Sequence, residues 1–294
     1  MTTISSENYI YKMSKANVPV KKIPTGQRIV FETNDCFHGQ IKSEEQSIDS
    51  LDWERVNPAT GPVYINEAKP GDALKIAIEK IELMNKGVMA AIPQVGIFGD
   101  EVTNSSIKII EIDGNVAHFN ENIKLPINPM IGVIGVAPAE GEIACGTPGS
   151  HGGNMDCTQI TEGNTLYLPI FHQGALLSLG DVHACMGDGE IMGTGIEIPA
   201  KVTIKVDVIG GMSINEPLLE TQDMFYAVVS ADTLENAIKN AAKTIRDLLI
   251  KKYSMDKNTA GMLLSAAGDT RICQVVDPLV TVRFGISKNI LDRI

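Results

Sequence analysis

The amino-acid sequence predicts a mainly β protein, in which an antiparallel β-sandwich or barrel body carries a smaller α/β subdomain. The first observation is that short apolar or alternating segments, bounded by turn residues, recur through the first two hundred residues. The second is that helical periodicity replaces this pattern after about residue 215. Strands at such spacing are typical of antiparallel sandwiches and barrels. We therefore expect a β-rich body at residues 1–214 and an α+β C-terminal subdomain at residues 215–294.

Five segments of the body are predicted as strands because each is apolar or alternating between turn residues. They are residues 27–32, 63–67, 73–83, 165–170 and 202–209. Asp113-Gly114-Asn115 predicts a hairpin between residues 106–112 and 116–119, because glycine tolerates the positive φ that such turns need. Pro70-Gly71-Asp72 predicts a further turn.

The C-terminal part combines helical and extended patterns. Residues 232–235 resemble a capping box with Asp232 as the cap, and apolar residues then recur at three- and four-residue steps. This pattern predicts an amphipathic helix that ends at about Lys252. Residues 255–267 predict a second helix, with Gly268 as its stop signal. Two predicted strands follow, at residues 271–276 and 280–284.

The composition limits the partners of the chain. Of the 294 residues, 44% are hydrophobic and 21% are charged, which argues against disorder. The formal net charge of -11 repels phosphate backbones, so nucleic acid is not expected as a partner. No apolar run approaches the roughly 20 residues that cross a bilayer, and residues 1–6 lack an apolar signal core. Five cysteines without paired spacing favour reduced thiols, so we expect a cytoplasmic protein with no membrane partner.

Most histidines lie in two glycine-rich, acid-bearing segments, residues 34–39 and 137–197. These histidines are His38, His151, His172 and His183. Glycine lets the backbone pass close to a ligand, while imidazole and carboxylate groups supply the lone pairs that a cation needs. Asp181 and His183 are two residues apart, so on a strand both side chains would lie on one face. The set as a whole therefore favours a metal site.

Other interpretations of these residues stay open. A single Asp-x-His pair is common, and acidic glycine-rich loops are usually solvated turns. Cys145 and Cys157 offer a thiolate nucleophile near His151, although cysteines of this kind are more often buried packing residues. Pro148 occupies the first position where a G-x-S-x-G nucleophile motif needs glycine, so that motif is absent.

Six motifs, taken in chain order, resemble the acetamidase/formamidase family. They are NPATGPVY (57–64), AKPGD (68–72), GGNMDC (152–157), GDVHACMGDGE (180–190), SAAGD (265–269) and QVVD (274–277). The resemblance implies a β-rich body with a smaller α/β portion, a divalent metal, and hydrolysis of formamide or acetamide. It also implies a homodimer or an assembly of dimers. Cys185-Met186 follows the Asp-x-His motif where many members carry other side chains, so the preferred amide stays open.

Given this resemblance, the candidate residues receive expected roles. We expect a divalent metal, zinc in the first instance, to be bound by His38, Asp156, Asp181 and His183. Glu142 is the expected general acid/base, with Glu140 as the alternative. His151 is expected to bind a second ion or to stabilise the tetrahedral oxyanion. Asp188 and Glu190 offer hard oxygen ligands that could hold Ca²⁺ at an additional site, or could brace a turn.

The expected function is therefore metal-dependent hydrolysis of a small aliphatic amide to a carboxylate and ammonia. Three alternatives stay open: a thiol amidase, a metal-dependent cyclic amide or imide hydrolase, and a non-catalytic β-barrel module that binds a small metabolite or a cation. The acid-rich loops favour an enzyme, since they offer proton-transfer groups beyond those needed for binding alone.

Overall fold

The computed structural model describes residues 2–294. Its strands are β1 (Thr2–Ile4), β2 (Tyr9–Ile10), β3 (Lys12–Ser14), β4 (Lys21–Ile23), β5 (Gln27–Glu32), β6 (Ala59–Ile65), β7 (Ala73–Leu83), β8 (Lys86–Ala91), β9 (Ser106–Asp113), β10 (Val116–His118), β11 (Lys124–Pro126), β12 (Met130–Gly135), β13 (Glu142–Ala144), β14 (Gly152–Asn154), β15 (Thr165–Pro169), β16 (Leu177–His183), β17 (Ala200–Ile209), β18 (Leu218–Glu220), β19 (Met224–Ala231), β20 (Asp269–Gln274) and β21 (Val280–Ser287). Its α-helices are α1 (Leu234–Tyr253), α2 (Lys257–Ala267) and α3 (Lys288–Leu291), and single 3₁₀ turns lie at Ile48–Ser50 and Trp53–Arg55.

A nine-stranded sheet forms one layer of the molecule. Its strand order is β1-β5-β17-β7-β15-β18-β19-β21-β20. β1 and β5 are parallel, while β17 pairs antiparallel with both β5 and β7. Because β15 pairs antiparallel with β18, this sheet continues from the predicted body into the predicted C-terminal subdomain.

A six-stranded sheet contains much of the glycine-rich segment. Its order is β14-β12-β16-β6-β2, and β4 pairs in parallel with β6. All residues of β12 and β16 are buried. A strand that is buried along its whole length lacks the alternation of a half-exposed strand, and this is why β12 does not stand out in the sequence.

The main hydrophobic core lies between these two sheets. Phe31 and Ile76 of the nine-stranded sheet belong to the same cluster of buried side chains as Ile134 and Leu179 of the six-stranded sheet. Inner faces of two packed sheets interdigitate in this way in a β-sandwich. The predicted fold class, a mainly β body with helices near the C-terminus, is thereby confirmed.

The two longer helices pack against the C-terminal end of the nine-stranded sheet. α1 contacts β19 and β21 through one buried face, formed by Ala237, Ala241, Ile245 and Leu249. The helix cap is Thr233, whose hydroxyl accepts the Asn236 N–H, so the cap lies one residue after the position that the capping-box pattern indicated. Asp232 instead accepts a hydrogen bond from the Asn236 side chain. Gly268 ends α2, as predicted.

Local sequence signals located several of the strands. The predicted strands at residues 27–32 and 73–83 coincide with β5 and β7, whereas β6 begins at Ala59, earlier than predicted. The predicted turn at Asp113-Gly114-Asn115 joins β9 to β10, and these strands form a four-stranded sheet with β8 and β11. Within residues 2–294, no helix has the length and apolar content needed to span a membrane.

Candidate active site and metal centre

A buried imidazole surrounded by carboxylates lies at the end of β16. Nε2 of His183 is 3.2 Å from Oε1 of Glu197, 3.5 Å from Oδ1 of Asp181 and 3.8 Å from Oδ1 of Asp156. These four side chains are almost completely removed from solvent. Ionisable groups are rarely buried together unless they are paired or bind a metal, so this cluster is the first candidate for a functional site.

Two further residues complete the cluster. Potential ligand atoms of Asp156, His183 and Glu190 lie within 4.8 Å of one another, and so do those of Cys36, Asp181 and Glu197. The six residues come from the turn after β5, the end of β14, the end of β16 and the loop that leads to β17. We call these six residues the acidic cluster.

A glycine on the neighbouring strand makes room for the carboxylates. Gly132 of β12 lies opposite Asp181, at a point where the pairing between β12 and β16 is interrupted. A Cβ atom at Gly132 would be 2.4 Å from Oδ1 of Asp156 and 2.6 Å from Oδ2 of Asp181. No side chain can therefore occupy this position without displacing both carboxylates.

Replacement of Gly132 by alanine should therefore disturb the acidic cluster. We expect Gly132→Ala to lower the free energy of unfolding by about 1–3 kcal/mol, the usual cost of overpacking, and to weaken metal binding. Denaturant unfolding and elemental analysis measure the two effects. Gly261→Ala in α2 is the matched control, since a Cβ there meets only open space. Gly132→Ala protein with wild-type stability and metal content would contradict this interpretation.

Three acids of the cluster have an unusual backbone conformation. The φ angles of Asp156, Asp181 and Glu190 are 41°, 54° and 50°, in the left-handed region that side chains rarely adopt. Such residues cost on the order of 1–3 kcal/mol each and often lie at functional sites. For Asp181, this conformation interrupts the regular strand geometry of β16. Asp181 and His183 do converge, as their spacing predicted, but regular strand alternation is not the reason.

Burial and mutual repulsion control the protonation of the cluster. Burial raises the pKa of Asp156 well above its usual value, and Glu190 and Asp181 raise it further. Burial also raises the pKa of Glu197 to about 7. Burial by itself lowers the pKa of His183, but Glu197 and Asp181 outweigh it and hold the pKa well above its usual value. The cluster thus carries more acidic groups than its single imidazole can neutralise.

The donor atoms of the cluster fit a divalent cation. Among the described residues, several of its buried atoms have no hydrogen-bond partner: both carboxylate oxygens of Asp156, Oδ1 of Asp181, Oε2 of Glu197 and both ring nitrogens of His183. A buried polar atom without a partner costs about 1–3 kcal/mol. Imidazole nitrogen, carboxylate oxygen and thiol sulfur are the ligands that zinc accepts in proteins.

His38 lies outside the acidic cluster. It is half-buried, its Nδ1 shares a hydrogen bond of 2.5 Å with the Tyr11 hydroxyl, and its ring packs edge-on against Tyr9 with a centroid distance of 4.5 Å. Cys36, two residues earlier in the same turn, is the residue that joins the cluster. Asp156, Asp181 and His183, the other three predicted ligands, lie together.

The three residues predicted to be catalytic lie in different surroundings. Glu140 is exposed, and Glu142 forms an exposed salt bridge of 2.7 Å with Lys12. Both therefore face solvent, whereas the acidic cluster is buried. His151 is 1% exposed, its Nε2 has no hydrogen-bond partner among the described residues, and burial lowers its pKa to about 4. The imidazole of His151 is consequently neutral at physiological pH.

Asp188 and Glu190, the pair considered for calcium, point to different partners. Arg283 donates to Oδ1 of Asp188 at 3.0 Å and to Oδ2 at 2.6 Å, and the Thr158 hydroxyl donates to Oδ1 at 2.8 Å. Glu190 belongs to the acidic cluster. The ion pair of Asp188 with Arg283 therefore connects the loop after β16 to strand β21.

The ion pair between Asp188 and Arg283 predicts that the stability of the protein depends on pH. Burial raises the pKa of Asp188, but hydrogen bonds from Arg283 and Thr158 outweigh it and leave the pKa below its usual value. A carboxyl whose pKa is depressed in the folded state adds stability above its unfolded pKa of about 3.9. That contribution is lost as the pH falls through the lower folded-state pKa.

We therefore expect Asp188→Asn to lower the free energy of unfolding by about 1–2 kcal/mol at pH 7, a value reduced for the partial exposure of this group. The difference from the wild type should shrink as the pH falls below about 4. Denaturant unfolding at several pH values measures it. A difference that is unchanged across this range would show that the ion pair adds no stability.

The cysteines provide poor candidates for a nucleophile. All five lie within residues 2–294 and are free thiols. Burial raises the pKa of Cys145 to about 12, so its thiolate is scarce at neutral pH. A hydrogen bond from Cys273 lowers the pKa of Cys157, but the Cys157 side chain is completely buried. The geometry therefore favours the metal interpretation over the thiol alternative.

Comparison with known proteins identifies the family. A family model described as the Acetamidase/Formamidase family matches residues 12–144 and 140–293. The chain belongs to the acetamidase/formamidase family. A solved structure of an acetamidase from Bacillus halodurans is 44% identical, with a TM-score of 0.97 and 99% of both chains covered. A recombinant predicted acetamidase/formamidase from Thermoanaerobacter tengcongensis is also 44% identical, with a TM-score of 0.97, covering 99% of this chain and 97% of its own.

A curated relative from Schizosaccharomyces pombe is more distant. It is 24% identical over an alignment of 252 positions, and the match covers 64% of this chain and 61% of the relative. This chain therefore aligns with less than two thirds of that relative's length. The resemblance to the acetamidase/formamidase family that the six sequence motifs predicted is confirmed.

Two members of the acidic cluster in this acetamidase/formamidase chain were not selected from the sequence. Glu197 follows the glycine-rich run Gly193-Thr194-Gly195, the same kind of context that singled out Asp156. Cys36 is adjacent to Asp35, whose backbone turn also carries His38. Both residues approach His183 or Asp181 only through long-range pairing, which includes the bridge between His183 and Glu197.

Proposed function

We propose that this chain catalyses metal-dependent hydrolysis of a small linear amide, formamide or acetamide, to a carboxylate and ammonia. The observation that carries the proposal is the acidic cluster, in which His183 is surrounded by Asp156, Asp181 and Glu197 within 3.8 Å. Membership of the acetamidase/formamidase family supports the reaction class. We further propose zinc as the ion, a cytoplasmic location and a homodimer or an assembly of dimers.

The residues proposed to hold the ion are Asp156, Asp181 and His183. A ligand atom of Glu190 lies within 4.8 Å of those of Asp156 and His183, and one of Cys36 lies within 4.8 Å of that of Asp181. Three protein ligands are typical of catalytic zinc, which needs a position open to water or substrate. A divalent ion held there would supply a Lewis acid that polarises the amide carbonyl and lowers the pKa of a water molecule towards roughly 7. Ca²⁺ binding at an additional site is proposed for Glu190 alone, because the carboxylate of Asp188 is already paired with Arg283.

Glu197 is the best-placed proton carrier. Its Oε1 accepts a hydrogen bond of 2.9 Å from the Gly195 N–H, while its Oε2 has no partner among the described residues. Burial raises its pKa to about 7, where a carboxyl can both accept and release a proton at physiological pH. We therefore propose Glu197, in place of Glu142, as the general acid/base. His151, whose imidazole is neutral, stays a candidate for stabilising the oxyanion.

Metal removal tests the proposed function. Protein stripped with a chelator should lose formamide and acetamide hydrolysis, and addition of zinc should restore it. Ammonia release measures turnover, and elemental analysis measures the bound metal. Full turnover in metal-free protein would refute the proposal. Ring opening of cyclic amides, assayed in parallel, separates the linear-amide function from the cyclic-amide alternative.

A further inference from the structure

The turn between β20 and β21 is held by one buried amide. Gln274 is completely removed from solvent. Its Nε2 donates to the Leu279 carbonyl at 2.6 Å and to the Thr281 hydroxyl at 2.9 Å. Its Oε1 accepts the N–H groups of Val276 and Asp277 at 2.9 and 3.0 Å. Both donors and both acceptor sites of the amide are therefore used, which fixes the path of the turn.

This turn presents a carboxylate to the acidic cluster. Nδ2 of Asn154 donates to Oδ2 of Asp277 at 3.0 Å, and Asn154 lies two residues before Asp156. Burial raises the pKa of Asp277 well above its usual value, and repulsion from the nearby Asp156 carboxylate raises it further. Asp277 is only half-buried, whereas Asp156 is completely buried. Asp277 is thus the more exposed of the two, and it contacts the segment that carries a proposed metal ligand.

The same strand end also holds the loop that carries Glu190. The Gly189 N–H donates to the Cys273 carbonyl at 2.7 Å, and the Val275 N–H donates to the Gly189 carbonyl at 3.3 Å. Gly189 and Gln274 form a parallel β-bridge. Residues on both sides of Gln274 consequently position two acids, Glu190 by backbone pairing and Asp277 through the turn.

We propose that Asp277 is an outer carboxylate that positions the segment carrying Asp156 for metal binding through its hydrogen bond with Asn154, and that Gln274 is the positioning residue that holds Asp277 in place. This inference rests on the proposed function only in requiring that the acidic cluster binds a divalent cation. It assigns the C-terminal subdomain a part in the site, although Asp156, Asp181 and His183 all belong to the body. Outer partners of metal ligands typically change metal affinity or activity by about 10–100-fold when they are removed.

The test is a double-mutant cycle on the full-length chain with cobalt as the probe. Chelator-treated protein is titrated with Co²⁺, and its dissociation constant is measured together with kcat and KM for acetamide. Asp277→Ala, which removes the acceptor for Asn154, should weaken Co²⁺ binding by about 10–100-fold, and Gln274→Met should weaken it similarly. Because Gln274 is proposed to act through Asp277, the double variant should lose no more than the larger single loss.

Matched variants separate a positioning role from a plain folding role. Asp223→Ala removes one exposed carboxylate from the same part of the chain and should leave Co²⁺ affinity unchanged. If Gln274→Met does not fold, Thr281→Val removes one partner of the Gln274 amide in its place. This variant should weaken Co²⁺ binding several-fold, and Thr281→Ser should restore it because it keeps the hydroxyl.

Several outcomes would overturn the inference. They are wild-type Co²⁺ affinity in Asp277→Ala, a loss in the double variant equal to the product of the two single losses, or wild-type affinity in Thr281→Val. Failure of the proposed function would give a different set of results. If wild-type protein binds Co²⁺ and releases no ammonia from any amide, the proposed function fails while the affinity cycle still decides the inference. If wild-type protein hydrolyses amides and Asp277→Ala matches it in affinity and kcat, the inference alone fails.

Discussion

If the acidic cluster holds the proposed metal ion, replacement of His183 by alanine should remove that ion and abolish most amide hydrolysis while the chain stays folded. The imidazole is the only nitrogen donor among the six residues of the acidic cluster, and it lies within 3.8 Å of three carboxylates. Loss of the cation forfeits several kcal/mol of transition-state stabilisation, so kcat/KM should fall about a hundredfold or more. Elemental analysis and ammonia release measure the two losses.

Folding should survive the His183 substitution because the carboxylates around it can take up protons. Burial already raises the pKa values of Asp156 and Glu197. The matched control is His118→Ala, which removes a half-exposed histidine from the hairpin strand β10 and should leave metal content and turnover unchanged. Asp181→Asn should reproduce the loss of metal. If His183→Ala protein keeps full metal occupancy, His183 is not a ligand.

The second large effect is expected at Glu197. Glu197→Gln keeps the shape of the side chain but cannot accept or deliver a proton, so kcat should fall by about 10²–10⁴-fold. The metal content should stay close to that of the wild type, since Asp156, Asp181 and His183 are unchanged. Without metal, the variant should be no less stable than the wild type, because one buried acid among like charges has been removed.

Glu142→Gln is the matched control for Glu197→Gln. It makes the same chemical change in an exposed side chain that pairs with Lys12 at 2.7 Å. Exposed ion pairs contribute only about 0–1 kcal/mol, so stability should change little. Steady-state kinetics on acetamide distinguish the two acids. If Glu142→Gln lowers kcat and Glu197→Gln does not, the acid/base role belongs to Glu142, as the sequence motifs first suggested.

Sequence patterns located those features that depend on neighbouring residues. Alternation predicted β5 and β7, and a turn motif predicted the hairpin of β9 and β10. Glycine-rich motifs with acids drew attention to Asp156, Asp181 and His183, which do lie together. The same reasoning favoured Glu142 and His38, because glycine, acid and histidine content shows neither whether a loop is buried nor which partner a side chain contacts.

By itself, the amino-acid sequence determined the mainly β class, the two longer C-terminal helices and the acetamidase/formamidase family. Only the tertiary structure decided which acids meet. Glu197 reaches His183 through a bridge between distant segments, and Asp277 reaches Asn154 because the amide of Gln274 shapes a turn more than a hundred residues away. Periodicity and capping act over a few residues, whereas burial and convergence of charges depend on pairing between distant strands.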